Sequence, residues 1–216
     1  MEHKIQKNLE KFLNFKNGFF LEVGANDGIS YSNTIRLEKS LNWKGILIEP
    51  GFHQYLKCSK NRPNSIVINA ALVSKEFRKK NKQVLIATDS GLMSKIYRKS
   101  IFGMNIFKYF FKNWSHVNCY SLDYLLNHLE INKIDFFSLD VEGNELEVLK
   151  GINFDVVDIK YICVEVWDKD KDKILKFFEN NNFHLIKDLS EFNKKDFPNW
   201  SGNHNDFLFK NTYSSN

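Results

Sequence analysis

The sequence predicts an α/β fold in which a mostly parallel sheet is covered by helices on both faces, and three observations favour it. Short apolar runs of strand length alternate with helical segments from residue 19 to about residue 187. Polar or acidic residues follow successive apolar runs, as they do at the carboxyl ends of parallel strands. No internal repeat and no linker interrupts the 216 residues. We therefore expect one domain over residues 1–216, with an N-terminal helix within residues 1–17 and a sheet of seven strands.

Each expected strand is a short apolar run that ends at a polar residue or a turn. Phe19–Val23 leads into a glycine-bearing turn, and Lys44–Ile48 stops at Glu49 and Pro50. Later runs have the same character and complete the predicted sheet: residues 65–69, 134–139, 160–166, 184–187 and 207–209.

The helices are predicted from apolar residues that recur every three or four positions. Residues 4–15 carry apolar side chains with this spacing, so they are expected to form an amphipathic helix. Ser121 is positioned to cap a helix over residues 122–129. The remaining helices are predicted over residues 31–41, 52–60, 144–150 and 171–179.

Residues 75–116 do not fit the alternation of strands and helices. They are basic at first and aromatic from Tyr97 to Trp114, with one strand expected near residues 84–87. We interpret this segment as an insertion or lid whose aromatic side chains form a platform for the acceptor. A helical hairpin that packs its own phenylalanines into the core is an equal alternative. An RNA-binding surface is disfavoured, because the spacing matches no RNA-binding signature.

Composition and charge exclude several classes of protein. Hydrophobic residues make up 43% of the chain, which is enough for a real core, and the net charge of +5 permits an anionic partner without requiring one. The three cysteines lack CxxC spacing, which argues for a reducing compartment and against a disulfide framework or a zinc site. No apolar stretch is long enough to span a bilayer, and no signal segment is evident. We expect a cytoplasmic protein, as a monomer or an oligomer.

Polar residues follow five of the predicted strands, at the ends where parallel sheets bind ligands. One such residue would mean little, since solvated loops are often polar, but five at successive strand ends indicate a binding cleft. The five positions are residues 22–28, Glu49, Asn69 with Ala70, residues 140–145 and residues 165–168.

The first of these positions is a glycine turn that favours a cationic ligand over a pyrophosphate. Gly24 would let the backbone turn tightly, and Gly28 would allow close packing of the next helix. The spacing is not the GxGxxG of dinucleotide enzymes. Glu22, Asn26 and Asp27 make the turn acidic and polar, which suits the ammonium and sulfonium of S-adenosylmethionine and would repel a pyrophosphate. A tight turn with capping acids remains the alternative interpretation.

Glu49 indicates an adenosine cofactor. It ends the second strand, 21 residues beyond Gly28, where an acid can accept hydrogen bonds from both hydroxyls of a ribose. NAD and S-adenosylmethionine both contain that ribose, so Glu49 does not choose between them. Asn69 and Ala70, at the end of the next strand, are expected to border the same cofactor.

The fourth strand ends in an acidic segment with Asp140, Glu142 and Glu145. Capping of the following helix would account for at least one of these acids. Capping does not require so many, however, and this strand end borders the cleft.

Together these segments resemble the FkbM family of methyltransferases. The similarity lies in residues 22–28, 45–50, 121–126, 134–151 and 162–165, whose order and spacing match over roughly residues 18–166. The most specific part is the Asp-Val-Glu-Gly-x-Glu motif that starts at Asp140. Residues 30–34 resemble a subgroup found in viruses, bacteria and animals. Many members have a lysine two residues before this motif, where this chain has Ser138, so no lysine-dependent role carries over.

The resemblance implies a Rossmann-like class I methyltransferase fold with an antiparallel last strand, S-adenosylmethionine as cofactor, and O-methylation of a sugar or polyketide hydroxyl. We therefore expect an O-methyltransferase whose acceptor is a small molecule, a glycan or a glycosylated metabolite. Three alternatives stay open: a methyltransferase acting on nucleic acid or protein, a catalytically silent cofactor-binding module and, most distantly, an NAD oxidoreductase.

The candidate catalytic residues follow from the chemistry of methyl transfer to a hydroxyl, which requires removal of a proton. Asp140 is expected to contact the cofactor and to act as the base or orient the hydroxyl. With Glu165 it could instead hold a divalent cation, although no histidine ligand spacing supports a metal. His204 is a second candidate base, with a solvated surface histidine as the simpler interpretation. The residues expected on the acceptor side are Glu142, Glu165, Trp167 and Trp200.

Overall fold

The computed structural model describes residues 2–89, 93–97, 114–190 and 203–213 of the chain. Within these ranges the chain forms a large sheet, a small sheet and several helices. The strands, in chain order, are β1 (Phe19–Val23), β2 (Lys44–Ile48), β3 (Ile66–Ile68), β4 (Ala71–Leu72), β5 (Gln83–Asp89), β6 (Met93–Tyr97), β7 (Trp114–Tyr120), β8 (Lys133–Leu139), β9 (Asp158–Trp167), β10 (Phe183–Asp188) and β11 (His204–Asn211). The helices are α1 (Glu2–Leu9), α2 (Ile35–Leu41), α3 (Phe52–Asn61), α4 (Lys75–Lys80), α5 (Leu122–His128), α6 (Glu145–Leu149) and α7 (Lys171–Asn180), with a 3₁₀ turn over Asp168–Asp170.

The large sheet has seven strands in the order β10-β11-β9-β8-β1-β2-β3. The strands β3, β2, β1, β8 and β9 run parallel to one another. β11 runs antiparallel to both of its neighbours, β9 and β10. This topology confirms the predicted mostly parallel sheet and its antiparallel last strand. The strand order reverses at β1, which has β2 on one side and β8 on the other, and such a reversal opens a crevice for a ligand.

Apolar side chains pack on both faces of this sheet, because successive residues of a strand point to opposite sides. On β1, Leu21 belongs to one buried cluster and Phe20 to the other. The first cluster is covered by α5, α6 and α7, and the second by α1, α2 and α3. Burial of each large apolar side chain contributes about 1.5–3 kcal/mol. These two layers confirm that helices cover both faces of the sheet.

The three cysteines belong to the buried interior and are not paired in disulfides. Burial raises the pKa of Cys58, in α3, to about 12. Burial likewise raises the pKa of Cys163, in β9, well above its ordinary value. Both thiols therefore stay protonated and pack as small apolar side chains.

The described part of residues 75–116 consists mostly of strands. α4 is followed by β5, which pairs antiparallel with both β6 and β7, and β7 also pairs with the short β4. The strand expected near residues 84–87 is therefore present within β5. The alternative of a helical hairpin, proposed for the aromatic residues from Tyr97 to Trp114, stays untested for most of them. Residues 90–92 and 98–113, with most of the aromatic side chains, lie outside the described residues.

Two helix boundaries differ from those expected by four residues or more. α1 ends at Leu9 rather than near residue 15, and the following turns tighten, with the amide of Phe12 donating to the carbonyl of Leu9 at 2.9 Å. α2 begins at Ile35 rather than at residue 31, because Tyr31 has a φ of 61°, which a right-handed helix cannot contain. None of the helices in the described ranges combines the length and the apolarity needed to cross a bilayer.

The cap expected of Ser121 is only partly present. Ser121 occupies the position before the first residue of α5, but its side chain accepts no hydrogen bond from the amides of the first turn.

The segment between β1 and α2 is held in place by Arg62, which follows the last residue of α3 and has a fully buried side chain. The guanidinium also lies over the ring of Phe20, at 5.2 Å. It contacts one carbonyl, two hydroxyls and two carboxylates: Gly28 O at 3.0 Å, Ser32 Oγ at 3.2 Å, Thr34 Oγ1 at 3.0 Å, Glu38 Oε2 at 2.8 Å and Glu22 Oε2 at 3.5 Å. A single buried cation thus joins β1, α2, α3 and the loop above them.

Replacement of Arg62 by methionine is expected to lower the free energy of unfolding by about 3–5 kcal/mol, because Glu22 and Glu38 would keep buried charges without their cation. Urea denaturation followed by circular dichroism measures this loss. Lys79→Met is the matched control, since Lys79 forms an exposed ion pair with Glu76 and should cost less than about 1 kcal/mol. Equal losses in the two variants would contradict a structural role for the buried pair.

Candidate active site

A cleft of about 260 Å³ lies at the carboxyl ends of β1, β2, β8 and β9, beside the reversal of strand order. Many residues predicted from separate strand ends meet there. Those that line the cleft are Glu22, Gly24, Asn26, Glu49, Ala70, Asp140, Glu142, Glu165 and His204. The sequence-based hypothesis of one shared cleft therefore agrees with the arrangement of these residues.

Asp27 and Gly28 lie next to the cleft without lining it. The carboxylate of Asp27 accepts hydrogen bonds from the amides of Ile29 and Ser30, at 2.9 and 2.7 Å. Partial burial alone would raise the pKa of Asp27, but these hydrogen bonds lower it. Gly28 has a φ of +77°, and a Cβ there would lie 2.8 Å from Cγ of Arg62. Both residues shape the turn, and the cofactor contact expected of them stays a prediction.

Asn69 and Trp167 do not line the cleft, but each donates a hydrogen bond to a residue that does. The side-chain amide of Asn69 donates to the carbonyls of Glu49 and Pro50, at 2.9 and 3.0 Å, and so holds the turn after β2. The indole of Trp167 donates to Oε2 of Glu165 at 2.8 Å. Trp200 lies outside the described residues.

The glycine turn after β1 makes a backbone contact that excludes any side chain at Gly24. Gly24 has a φ of +85°, and a Cβ there would lie 1.7 Å from the carbonyl oxygen of Asp140. The amides of Gly24 and Ala25 both donate to the carbonyl of Ile48, at 3.0 and 3.2 Å. The turn is therefore packed directly against the ends of β2 and β8.

Glu22 lines the cleft, but both of its carboxylate oxygens already accept hydrogen bonds from residues 32–34. Oε1 accepts from the amide of Asn33 at 2.9 Å, while Oε2 accepts from the hydroxyls of Ser32 and Thr34. Burial raises the pKa of Glu22 despite the opposing effects of Arg62 and of these hydrogen bonds. Glu22 thus anchors the loop, and its expected contact with the cofactor stays a prediction.

Glu49 is 5% exposed and is held by two backbone amides. Oε1 accepts from the amide of Gly51 at 2.7 Å, and Oε2 accepts from the amide of Asn26 at 2.8 Å. Burial raises the pKa of Glu49 to about 7, although both hydrogen bonds oppose the rise. The amides fix the orientation of the carboxylate, and each oxygen retains a second lone pair that could accept a ligand hydroxyl.

Three carboxylates form a row across neighbouring strands at one end of the cleft. Glu165 in β9 and Asp206 in β11 are cross-strand partners. Asp140 directly follows Leu139, which pairs with Val164, so Asp140 stands beside Glu165 at the end of β8. Glu142 lies in the turn that follows, and it also lines the cleft. We call Asp140, Glu165 and Asp206 the acid row.

The acid row shares its environment, which favours the protonated form of each carboxyl group. The side chain of Asp140 is exposed to the cleft, but protein atoms surround it on the other sides. This partial enclosure, together with repulsion from Glu165, raises the pKa of Asp140 well above its ordinary value. Burial and nearby acids raise the pKa of Glu165 to about 8, and burial raises that of Asp206 to about 6. These groups can therefore exchange protons near neutral pH.

The same region contains a set of oxygens that could bind a cation. One carboxylate oxygen of each of Asp140, Glu145 and Glu165 lies within 4.8 Å of those of the other two. Glu145 is already engaged, because its Oε1 accepts hydrogen bonds from the amides of Val141 and Gly143 at 3.1 and 2.9 Å. A divalent cation at Asp140 and Glu165 stays a hypothesis.

His204 lines the cleft at the start of β11, with Nε2 3.6 Å from Oε1 of Glu165. Its ring lies 5.2 Å from that of Trp167. Partial burial lowers the pKa of His204, against the attraction of Asp168, so the ring is neutral at pH 7. A neutral imidazole at this position can accept a proton.

Several residues of the cleft were not predicted from the sequence, notably Asp206, Tyr31 and the pair formed by Asn33 and Ser138. The side-chain amide of Asn33 donates to the hydroxyl of Ser138 at 3.0 Å. Asp206 was missed because β11 was predicted to begin at Phe207, whereas it begins at His204. The sequence did contain a signal for the earlier start. His204 and Asp206 are polar residues two positions apart, and side chains with that spacing on a strand share a face.

Comparison with solved structures gives many matches at low sequence identity, which bear on the fold alone. A ribosomal protein L11 methylase from Lactobacillus delbrueckii subsp. bulgaricus is 10% identical, with a TM-score of 0.50 over 96% of this chain and 77% of that one. TrmK from M. capricolum, in complex with S-adenosyl-homocysteine, is 12% identical, with a TM-score of 0.50 over 96% of this chain and 68% of that one. A search of curated protein sequences gives no significant match.

The family comparison covers most of the chain. The family model described as the methyltransferase FkbM domain matches residues 22–185, which contain the glycine turn, Glu49, Asp140 and Glu165. The match agrees with the Rossmann-like topology and with a cleft at the switch point of the sheet. The chain therefore belongs to the FkbM methyltransferase family and is an S-adenosylmethionine-dependent methyltransferase.

Proposed function

We propose that this methyltransferase O-methylates a hydroxyl of a sugar, a glycan or a glycosylated metabolite. The observation that carries the proposal is the acid row, which joins three carboxylates with raised pKa values in one cleft. A sugar hydroxyl is a weak acid, so its reaction benefits from a base positioned to accept the proton. Carboxylates are also hydrogen-bond acceptors for the hydroxyl groups of a sugar.

The donor set of the cleft fits S-adenosylmethionine, which supplies a methyl group on a positively charged sulfur. Glu49 would accept hydrogen bonds from the two ribose hydroxyls through the lone pairs that its backbone amides leave available. Ala70, beyond Glu49, would pack against the adenine. Gly24 has no side chain, so its backbone would allow the ligand to approach closely, and the polar and acidic lining of the cleft would suit its ammonium and sulfonium groups.

Asp140 is the proposed proton acceptor. It belongs to the acid row, and its carbonyl oxygen lies against Gly24 of the glycine turn. Its raised pKa makes its ionised carboxylate a stronger base than a solvated aspartate, and the positive charge of the cofactor would favour that ionised form. Glu165 and Asp206 would orient the acceptor and take part in the same proton network. His204 is the second candidate base, since it is neutral and adjoins Glu165.

The lining of the cleft favours a neutral acceptor over nucleic acid. Basic groups usually bind the phosphates of a nucleic acid backbone, and no lysine or arginine of the described residues lines the cleft. A second candidate acceptor is an amine on a protein or a small molecule, because the carboxyl groups of the acid row can accept its hydrogen bonds. The products distinguish the two, since one has a methyl group on oxygen and the other has it on nitrogen.

Replacement of Asp140 by asparagine is expected to slow methyl transfer about 100-fold or more, because the amide cannot accept the proton. The affinity for S-adenosylmethionine should change by less than about threefold, which is under 1 kcal/mol. Single-turnover methyl transfer and calorimetry measure the two quantities. Full activity of the variant would rule out Asp140 as the base.

Asp155→Asn is the matched control, since Asp155 is exposed and precedes β9 at the opposite end of the sheet. Its activity should equal that of the unmodified enzyme. Both assays are repeated with EDTA and with Mg²⁺. Activity that persists in EDTA supports the carboxylate base, and activity that requires Mg²⁺ supports a cation at Asp140 and Glu165.

The affinity for S-adenosylmethionine is expected to fall as the pH drops through about 7. Glu49 has a pKa of about 7, and its ionised form makes the stronger hydrogen bonds to ribose hydroxyls. Cofactor binding therefore favours deprotonation of Glu49, so affinity is highest above pH 7 and weakens by up to about tenfold per pH unit below it. Calorimetry at pH 6 and pH 8 tests this expectation.

Glu49→Gln is the control for that pH dependence. The amide group of glutamine would face a backbone amide of Asn26 or Gly51, so one acceptor is replaced by a second donor. The variant should bind S-adenosylmethionine more weakly, and its affinity should depend less on pH. An unchanged slope between pH 6 and pH 8 would assign the titration to another group.

A further inference from the structure

The loop formed by residues 30–34, between the glycine turn and α2, is fixed from several directions. Glu22 accepts hydrogen bonds from three of its groups, and Arg62 donates to Ser32 and Thr34. From α1, the side chain of Gln6 donates to the carbonyl of Ser32 at 3.1 Å. The loop is therefore held in one conformation by partners on β1, α1 and α3.

Within this fixed loop, Tyr31 adopts a conformation that its own chemistry disfavours. Its φ is 61°, in the left-handed region that bulky residues rarely adopt. Its side chain is 58% exposed, although an aromatic ring gains free energy by burial. The left-handed backbone and the exposed ring of Tyr31 both cost free energy, and strain of this kind is typical of ligand-binding positions.

Tyr31 lines the cleft together with the apolar side chain of Ile5 from α1. The acid row lines the same cleft. The cleft therefore combines an aromatic and apolar wall with a set of hydrogen-bond acceptors. A pyranose ring has the complementary chemistry, because its C–H face stacks on aromatic rings and its hydroxyl edge donates hydrogen bonds.

We propose that Tyr31 is a specificity-determining residue that binds a pyranose ring of the acceptor by stacking, while the acid row binds its hydroxyls. This proposal rests on the proposed O-methylation of sugars and deepens it. The fixed loop presents the ring of Tyr31 before the acceptor arrives, so little conformational entropy is lost on binding. The backbone strain at Tyr31 is then the cost of that presentation.

The test uses Tyr31→Gly, which removes the ring and relieves the left-handed backbone at the same time. The probes are the methyl glycosides of common hexoses and the corresponding open-chain alditols, which have similar hydroxyls but no ring face. The unmodified enzyme should methylate one or more glycosides in preference to the alditols. In Tyr31→Gly, the KM for those glycosides should rise roughly tenfold, and the preference over alditols should disappear.

Three further measurements separate this role from a structural one. The affinity for S-adenosylmethionine should stay the same, Tm should stay the same or rise, and Tyr31→Phe should retain the low KM for the glycoside. Tyr213→Ala is the control, since Tyr213 is 78% exposed and follows the end of β11 that is remote from the cleft. Its KM should not change.

The outcomes distinguish the two proposals. If glycosides are methylated and Tyr31→Gly leaves their KM unchanged, the role of Tyr31 is wrong and the proposed function stands. If the unmodified enzyme methylates no glycoside, or methylates only amines, both proposals are overturned. A KM that rises for glycosides and alditols alike would assign Tyr31 a general role in shaping the cleft and would overturn the stacking proposal.

Discussion

The cleft depends on one buried cation. Arg62 is fully enclosed, and it neutralises Glu22 and Glu38 while donating to the loop above them. Buried ion pairs add little net stability compared with well-packed apolar side chains, but loss of one partner is costly. The value of this cation therefore lies in geometry. It joins an irregular loop to three regular elements, so the wall of the cleft is shaped without help from a ligand.

The regular elements around the cleft could be predicted from sequence, and the irregular ones could not. β1 and β2 have the predicted bounds, because both are continuous apolar runs buried on two faces. Residues 31–34 were assigned to a helix, since the apolar spacing around Leu37 gives no sign of the bonds to Glu22 and Arg62. The small sheet was also missed, because its pairing of β4, β5 and β7 joins segments distant in sequence.

The site was predicted to a similar extent. Residues at strand ends, such as Glu49 and Asp140, could be predicted because topology alone brings the carboxyl ends of parallel strands together. Asp206 could not, since it comes from an antiparallel strand whose start was misjudged. Its presence changes the electrostatics of the cleft, because repulsion from Asp206 adds to the burial that raises the pKa values of Asp140 and Glu165.

The burial of Cys163 has a practical consequence for the study of motion at the cleft. This thiol lies in β9, two residues before Glu165, and its pKa is raised because protein atoms surround it. A thiolate is the form that reacts with alkylating reagents, so the native state protects this cysteine. Modification then requires a local opening of the sheet, and its rate would report how often the strand beneath the acid row separates from its neighbours.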